Sequence, residues 1–73
     1  IVDGTVEDSI LGRNVEIGKD AVVKNCILLS GSKVSAGAHL ENVILDKEAR
    51  VEKQKDLVGQ ASHPLYVKEG DVV

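Results

Sequence analysis

No Trp, Phe or Met occurs anywhere in this chain of 73 residues, and Cys, Pro and Tyr occur once each. With Tyr66 as the sole aromatic, a core has to be assembled from Val, Ile, Leu and Ala, which favours narrow, regular layers over an irregular interior. A chain this short encloses a large core only through a special architecture or staples, and the lone Cys26 supplies no internal disulfide. The expected setting is therefore intracellular, or at least independent of an oxidising compartment. No apolar run approaches the roughly 18 residues of a membrane span and no basic leader precedes one, so neither a membrane partner nor a targeting segment is expected. Nine Lys and Arg lie singly among twelve Asp and Glu, for a net charge of −3. A nucleic-acid partner is not expected, because it would need a basic stripe and, for single strands, aromatic platforms. Not even position 1 is Met, and the opening "IVDGTVEDSIL" already lies inside a repeating pattern, so a fragment of a longer protein is the expectation.

What the chain does contain is one sentence said three times. "VEDSIL" (Val6 to Leu11) returns as "VKNCIL" (Val23 to Leu28) and "LENVIL" (Leu40 to Leu45), each seventeen residues on. Four columns stay aliphatic under that shift: Val6, Val23, Leu40 and Leu57; Ile10, Ile27 and Ile44; Leu11, Leu28 and Leu45; Ile17, Val34 and Val51. Other columns stay small or keep a turn character, as in Gly4, Ala21 and Ala38, or Asp8, Asn25 and Asn42. Each repeat divides into steps of about six, and no segment sustains the three-and-four spacing of a helix. Short β-branched strands broken by Gly, Asn, Asp and Ser fit instead, three to a triangular turn of a solenoid. Eighteen residues would make a regular coil, so seventeen implies one short side. That side is Val6 to Ile10 or Gly12 to Glu16, and the constancy of Leu11, Leu28 and Leu45 favours the first.

The same register sorts the remaining residues. Glu7, Lys24 and Glu41 share an outward column, as do Glu16, Lys33 and Arg50, and exposed pairs of this kind are worth at most about 1 kcal/mol. Asp8, Asn25 and Asn42 belong at corners, where short amide and carboxylate side chains tolerate the left-handed backbone, and Gly18, Gly31 and Gly37 serve other corners. Cys26 falls in the column Ser9, Cys26, Val43 as a small filler; a nucleophile would want a base or cation on its own face. Coils are expected over residues 1–56. The tail from 57 to 73 holds the only Pro and no hexads, and is expected to cap the solenoid with Leu65, Tyr66 and Val67 laid over the last coil.

Two histidines with no further His or Cys at ligand spacing give no metal site, and both His39 and His63 read as ordinary surface residues. No Gly-rich loop leads into a helix, so no phosphate cradle of the usual kind is present. Stacked Lys33 and Arg50, with Arg13 and Lys47 on a neighbouring column, are the nearest approach to an anion site, though a solvated face is the favoured explanation of them. If Leu11, Leu28 and Leu45 point inward, then Ile10, Ile27 and Ile44 point out and form an apolar stripe that wants a partner.

"IGKDAV" and "VSAGAHL" resemble the hexapeptide repeats of left-handed parallel β-helices, found in acyltransferases and sugar-nucleotide pyrophosphorylases. The run from "VEDSILGRNVEIG" to "LENVILDKEARV", with the tail "PLYVKEGDVV", closely resembles the C-terminal region of the bacterial glucose-1-phosphate adenylyltransferase (ADP-glucose pyrophosphorylase) family, in its noncatalytic subunit type. The resemblance implies an all-β, left-handed parallel β-helix of about three coils. It also implies an N-terminal nucleotidyltransferase domain outside this chain, which with Mg²⁺ joins ATP and glucose 1-phosphate into ADP-glucose and pyrophosphate for glycogen biosynthesis. On that reading this chain is cytoplasmic and carries no catalytic residue and no cofactor. Its partners are its own catalytic domain and other subunits, in a homo- or hetero-oligomer with a catalytic subunit. Effector control in the family involves the region between the two domains, and Lys33 and Arg50 are the candidates here. The alternative is a piece of a hexapeptide-repeat acyltransferase, whose active site lies on the solenoid and uses a His as general base.

Overall fold

The computed structural model describes residues 2–73, and every regular element among them is a strand. Coil one contributes β1 (Thr5–Glu7), β2 (Ile10–Leu11) and β3 (Glu16–Ile17). Coil two repeats them as β4 (Val22–Lys24), β5 (Ile27–Leu28) and β6 (Lys33–Val34). Coil three adds β7 (His39–Glu41), β8 (Val43–Leu45) and β9 (Arg50–Val51), and the closing stretch adds β10 (Asp56–Val58) and β11 (Leu65–Val67). All pairing between these strands is parallel and builds three sheets: β1-β4-β7-β10, β2-β5-β8-β11 and β3-β6-β9. In coils one to three each residue pairs with the one seventeen further on, as Val6 with Val23 and Val23 with Leu40. The result is a triangular β-solenoid of extents 28 × 21 × 20 Å.

Like-on-like stacking explains the core. Val23, Leu28, Leu40, Leu45 and Val51 are completely buried, and the remaining interior is Val, Ile, Ala and two small polar-edged residues, Cys26 and Ser32. Parallel pairing places identical or similar side chains about 4.8 Å above one another, so neighbours in a column are of comparable size. Ser32 is tolerated inside because its Oγ donates to Leu29 O at 2.7 Å.

Inward positions reveal the short side. Between successive buried residues the chain advances four at two corners, from Leu28 to Ser32 and from Val34 to Ala38, but only three at the other, from Val23 to Cys26. The missing residue thus lies in the Val6 to Ile10 step and its repeats. Each corner of coils one to three carries a residue in the left-handed region. The narrow one uses Asp8, Asn25 and Asn42, with φ of 50, 52 and 55°; the wide ones use Asn14, Gly31, Glu48 and Gly70, and Asp20, Gly37 and Gln54. Wide corners are four-residue turns closed by bonds such as Ser32 N–H to Leu29 O at 3.2 Å, and a positive φ at the third residue is what such a turn demands. Gly18 serves its corner differently: it opens the turn, and a Cβ there would stand 2.6 Å from the Ala36 nitrogen of the next coil.

The tail continues the ladder rather than crossing it. Asp56, Leu57 and Val58 pair with His39, Leu40 and Glu41 at the usual interval, whereas Leu65, Tyr66 and Val67 pair with Val43, Ile44 and Leu45, twenty-two residues back. Val72 then bridges Arg50 at the same longer interval. The extra length forms a small hairpin over residues 59–64, in which Gln60 and His63 exchange backbone bonds of 3.3 and 2.9 Å. Asn42 holds both feet of it: its carbonyl accepts from Leu65 N–H at 3.0 Å and its Nδ2 donates to Gly59 O at 3.2 Å. Residues 57–73 therefore cover coil three by forming a fourth, larger coil.

Candidate functional site

The three outer faces of the prism differ in chemistry. On the first, Glu7, Lys24 and Glu41 stand in register beside Val22, His39 and Asp56. On the third, Glu16, Lys33 and Arg50 form one column. The second is apolar along its centre: Ile10, Ile27 and Ile44 pair rung to rung, and Tyr66 extends the ladder to a fourth rung. Ile10 is 66% exposed, Ile27 37% and Tyr66 56%, while Ile44 is half-buried. Strand alternation causes this, since Leu11, Leu28 and Leu45 take the inward positions next door.

The hairpin walls one side of that ladder. A groove of about 250 Å³ is lined by Ile10, Ile27 and Ile44, by Asp8, Asn25, Cys26 and Asn42 of the narrow corner, and by Ala61 and Pro64. Its corner is stiffened by an amide ladder, in which Asn25 Nδ2 donates to Asn42 Oδ1 at 2.5 Å and Asn42 passes the chain on to Gly59 O. At the far end the Tyr66 hydroxyl donates to Asp46 Oδ2, and Asp46 Oδ1 accepts from Lys47 N–H at 2.7 Å. The Tyr66 bond holds the Asp46 carboxyl below its ordinary range, helped by the Lys47 amide, and the same bond pushes the Tyr66 phenol up.

The other candidates lie apart from this face or beneath it. Cys26 is 2% exposed; its Sγ donates to Lys24 O at 3.0 Å, its N–H donates to Ser9 Oγ at 3.1 Å, and burial pushes its thiol up. Ser9 reproduces the same bond one coil earlier, Oγ to Glu7 O at 2.8 Å, so the column is a structural repeat of small side chains. Lys33 and Arg50 are neighbours on the third face, both exposed, with Lys33 Nζ 3.4 Å from Glu16 Oε2. Arg13 and Lys47 are exposed at the corner between the second and third faces. His39 is half-buried, Nε2 lying 3.6 Å from Glu41 Oε2 and Nδ1 4.0 Å from Asp56 Oδ1. His63 is exposed in the hairpin, on a different part of the surface from His39. Among the described residues no group of three or more His, Cys, Asp or Glu is placed to hold a metal ion.

Tyr66, Ala61 and Pro64 were not expected on this face from the seventeen-residue register. The signal that finds them is the offset of twenty-two, which sets "LYV" beneath "VIL".

Residues 1–63 match the family model described as GlmU-like, C-terminal hexapeptide. The glucose-1-phosphate adenylyltransferase of Deinococcus radiodurans is 44% identical over 48 residues, which cover 66% of this chain and 12% of that protein. The glycogen biosynthesis protein GlgD of Bacillus subtilis is 36% identical over 70 residues, covering 96% of this chain and 20% of that protein. The bifunctional protein GlmU of Chromobacterium violaceum is 37% identical over 51 residues, covering 70% of this chain and 10% of that protein. The chain thus spans between a tenth and a fifth of the length of these relatives. No solved structure matches it.

Proposed function

Because the chain belongs to the family of GlmU-like C-terminal hexapeptide domains, we propose that it is the C-terminal β-helix of a glucose-1-phosphate adenylyltransferase subunit of the GlgD kind. Its work is assembly and effector control in cytoplasmic glycogen biosynthesis. The single observation that carries an assembly role is the second face: one side of a charged prism presents Ile10, Ile27 and Ile44 in a continuous stripe, crowned by Tyr66. An apolar stripe of that length on an otherwise charged surface gains most by leaving water. The occupant in this proposal is the catalytic domain of the same subunit or a catalytic subunit beside it. Catalysis and its Mg²⁺ are assigned to a nucleotidyltransferase portion outside this chain. Lys33 and Arg50 are proposed as effector contacts, supported by their adjacency on one column beside the Gly31 and Gly70 corner.

Both assignments are tested in the full-length subunit that this proposal implies, paired with its catalytic subunit. Ile27→Lys is expected to abolish subunit association in sedimentation while leaving the cooperative melting of the solenoid within about 0.5 kcal/mol of the parent, as for an ordinary surface change. Unaltered association would remove the ladder from the subunit interface and leave the catalytic domain of the same subunit as its occupant. Arg50→Ala is expected to weaken the anionic effector's action on ADP-glucose synthesis with basal synthesis retained; an unchanged response would remove Arg50 from the effector site. Acyl transfer, with no ADP-glucose formed, would instead establish the acyltransferase alternative.

A further inference from the structure

We draw no further inference here: the strongest candidate, the groove of about 250 Å³ between the Ile10, Ile27 and Ile44 ladder and the hairpin residues Ala61 and Pro64, belongs to the docking surface already proposed, and nothing in the structure shows what fills it.

Discussion

The Tyr66–Asp46 bond is charge-assisted only while the phenol keeps its proton and the carboxyl has lost its own. Asp46 has a lowered value in the fold, so its contribution is present above the ordinary carboxyl value of 3.8 and is lost as pH falls through the lowered one. Tyr66 has a raised value, so its contribution is full below the ordinary 10.0 and is lost as pH rises through the raised one. The link should therefore be insensitive to pH across the neutral range and weaken at both extremes. Tyr66 is the only tyrosine, so phenolate absorbance reports it alone. In Asp46→Ala the alkaline midpoint is expected to fall back toward 10.0, and an unmoved midpoint would show that the bond does not persist in solution. At this scale the sequence was informative where a residue's neighbours in its column were informative. Cys26 reads as filler because Ser9 and Val43 flank it, and Asn25 reads as a corner because Asp8 and Asn42 do. Tyr66 has no such witnesses at an interval of seventeen, and its place on the ladder was hidden for that reason.

A corner is the smallest element with its own energetics. Gly31, Glu48 and Gly70 occupy one column and share the left-handed conformation, with φ of 76, 57 and 75°. For Glu48 that conformation costs roughly 1–2 kcal/mol that a glycine would not incur. Gly31→Ala is accordingly expected to destabilise by about 1–2 kcal/mol, because its Cβ would also press on Glu48 Cγ at 3.1 Å. Glu48→Gly should stabilise, by up to about 1 kcal/mol after the greater freedom of the unfolded chain is deducted. Urea midpoints of the two variants should move in opposite directions, and movement the same way would show that corner strain is not the controlling term. The glycine and asparagine corners are visible in the letters, whereas Glu48 and Gln54 are not turn residues by type. They adopt the corner because the rungs on either side leave them no other conformation. The same dominance of rungs over loops explains the closing segment. Its hexads vanish from a seventeen-residue comparison because five extra residues intervene, yet Leu65, Val67 and Val72 still find their rungs.

For the whole molecule, the interval is the fold. Since every strand of coils one to three lies on another seventeen residues away, removing seventeen residues should join matching positions. Excision of residues 24–40 is expected to leave a shorter solenoid that unfolds cooperatively at lower denaturant, as nearest-neighbour stacking predicts. Excision of residues 24–41, one more, leaves a step of two from Val23 to Val43 where the narrow corner needs three, so the chain has no residue left to turn on and should yield no cooperative transition. Equal behaviour of the two would mean that register does not specify the structure. Fold class was legible because this interval is written in four aliphatic columns. The docking face was legible only as a stripe, since its wall arises from a pairing that breaks the interval.

That break has a meaning of its own. A stack of parallel, in-register strands with like residues superposed is the arrangement of an amyloid fibril, in which each layer is a mould for the next. Coils one to three satisfy that description and differ from a fibril only in belonging to one chain. Coil four carries a five-residue bulge pinned by Asn42 at one corner. Its outline no longer matches the layer beneath it, so a newcomer cut to the seventeen-residue pattern meets a mould of the wrong perimeter. The hairpin thus sets the fourth layer apart from the three before it by length rather than by charge.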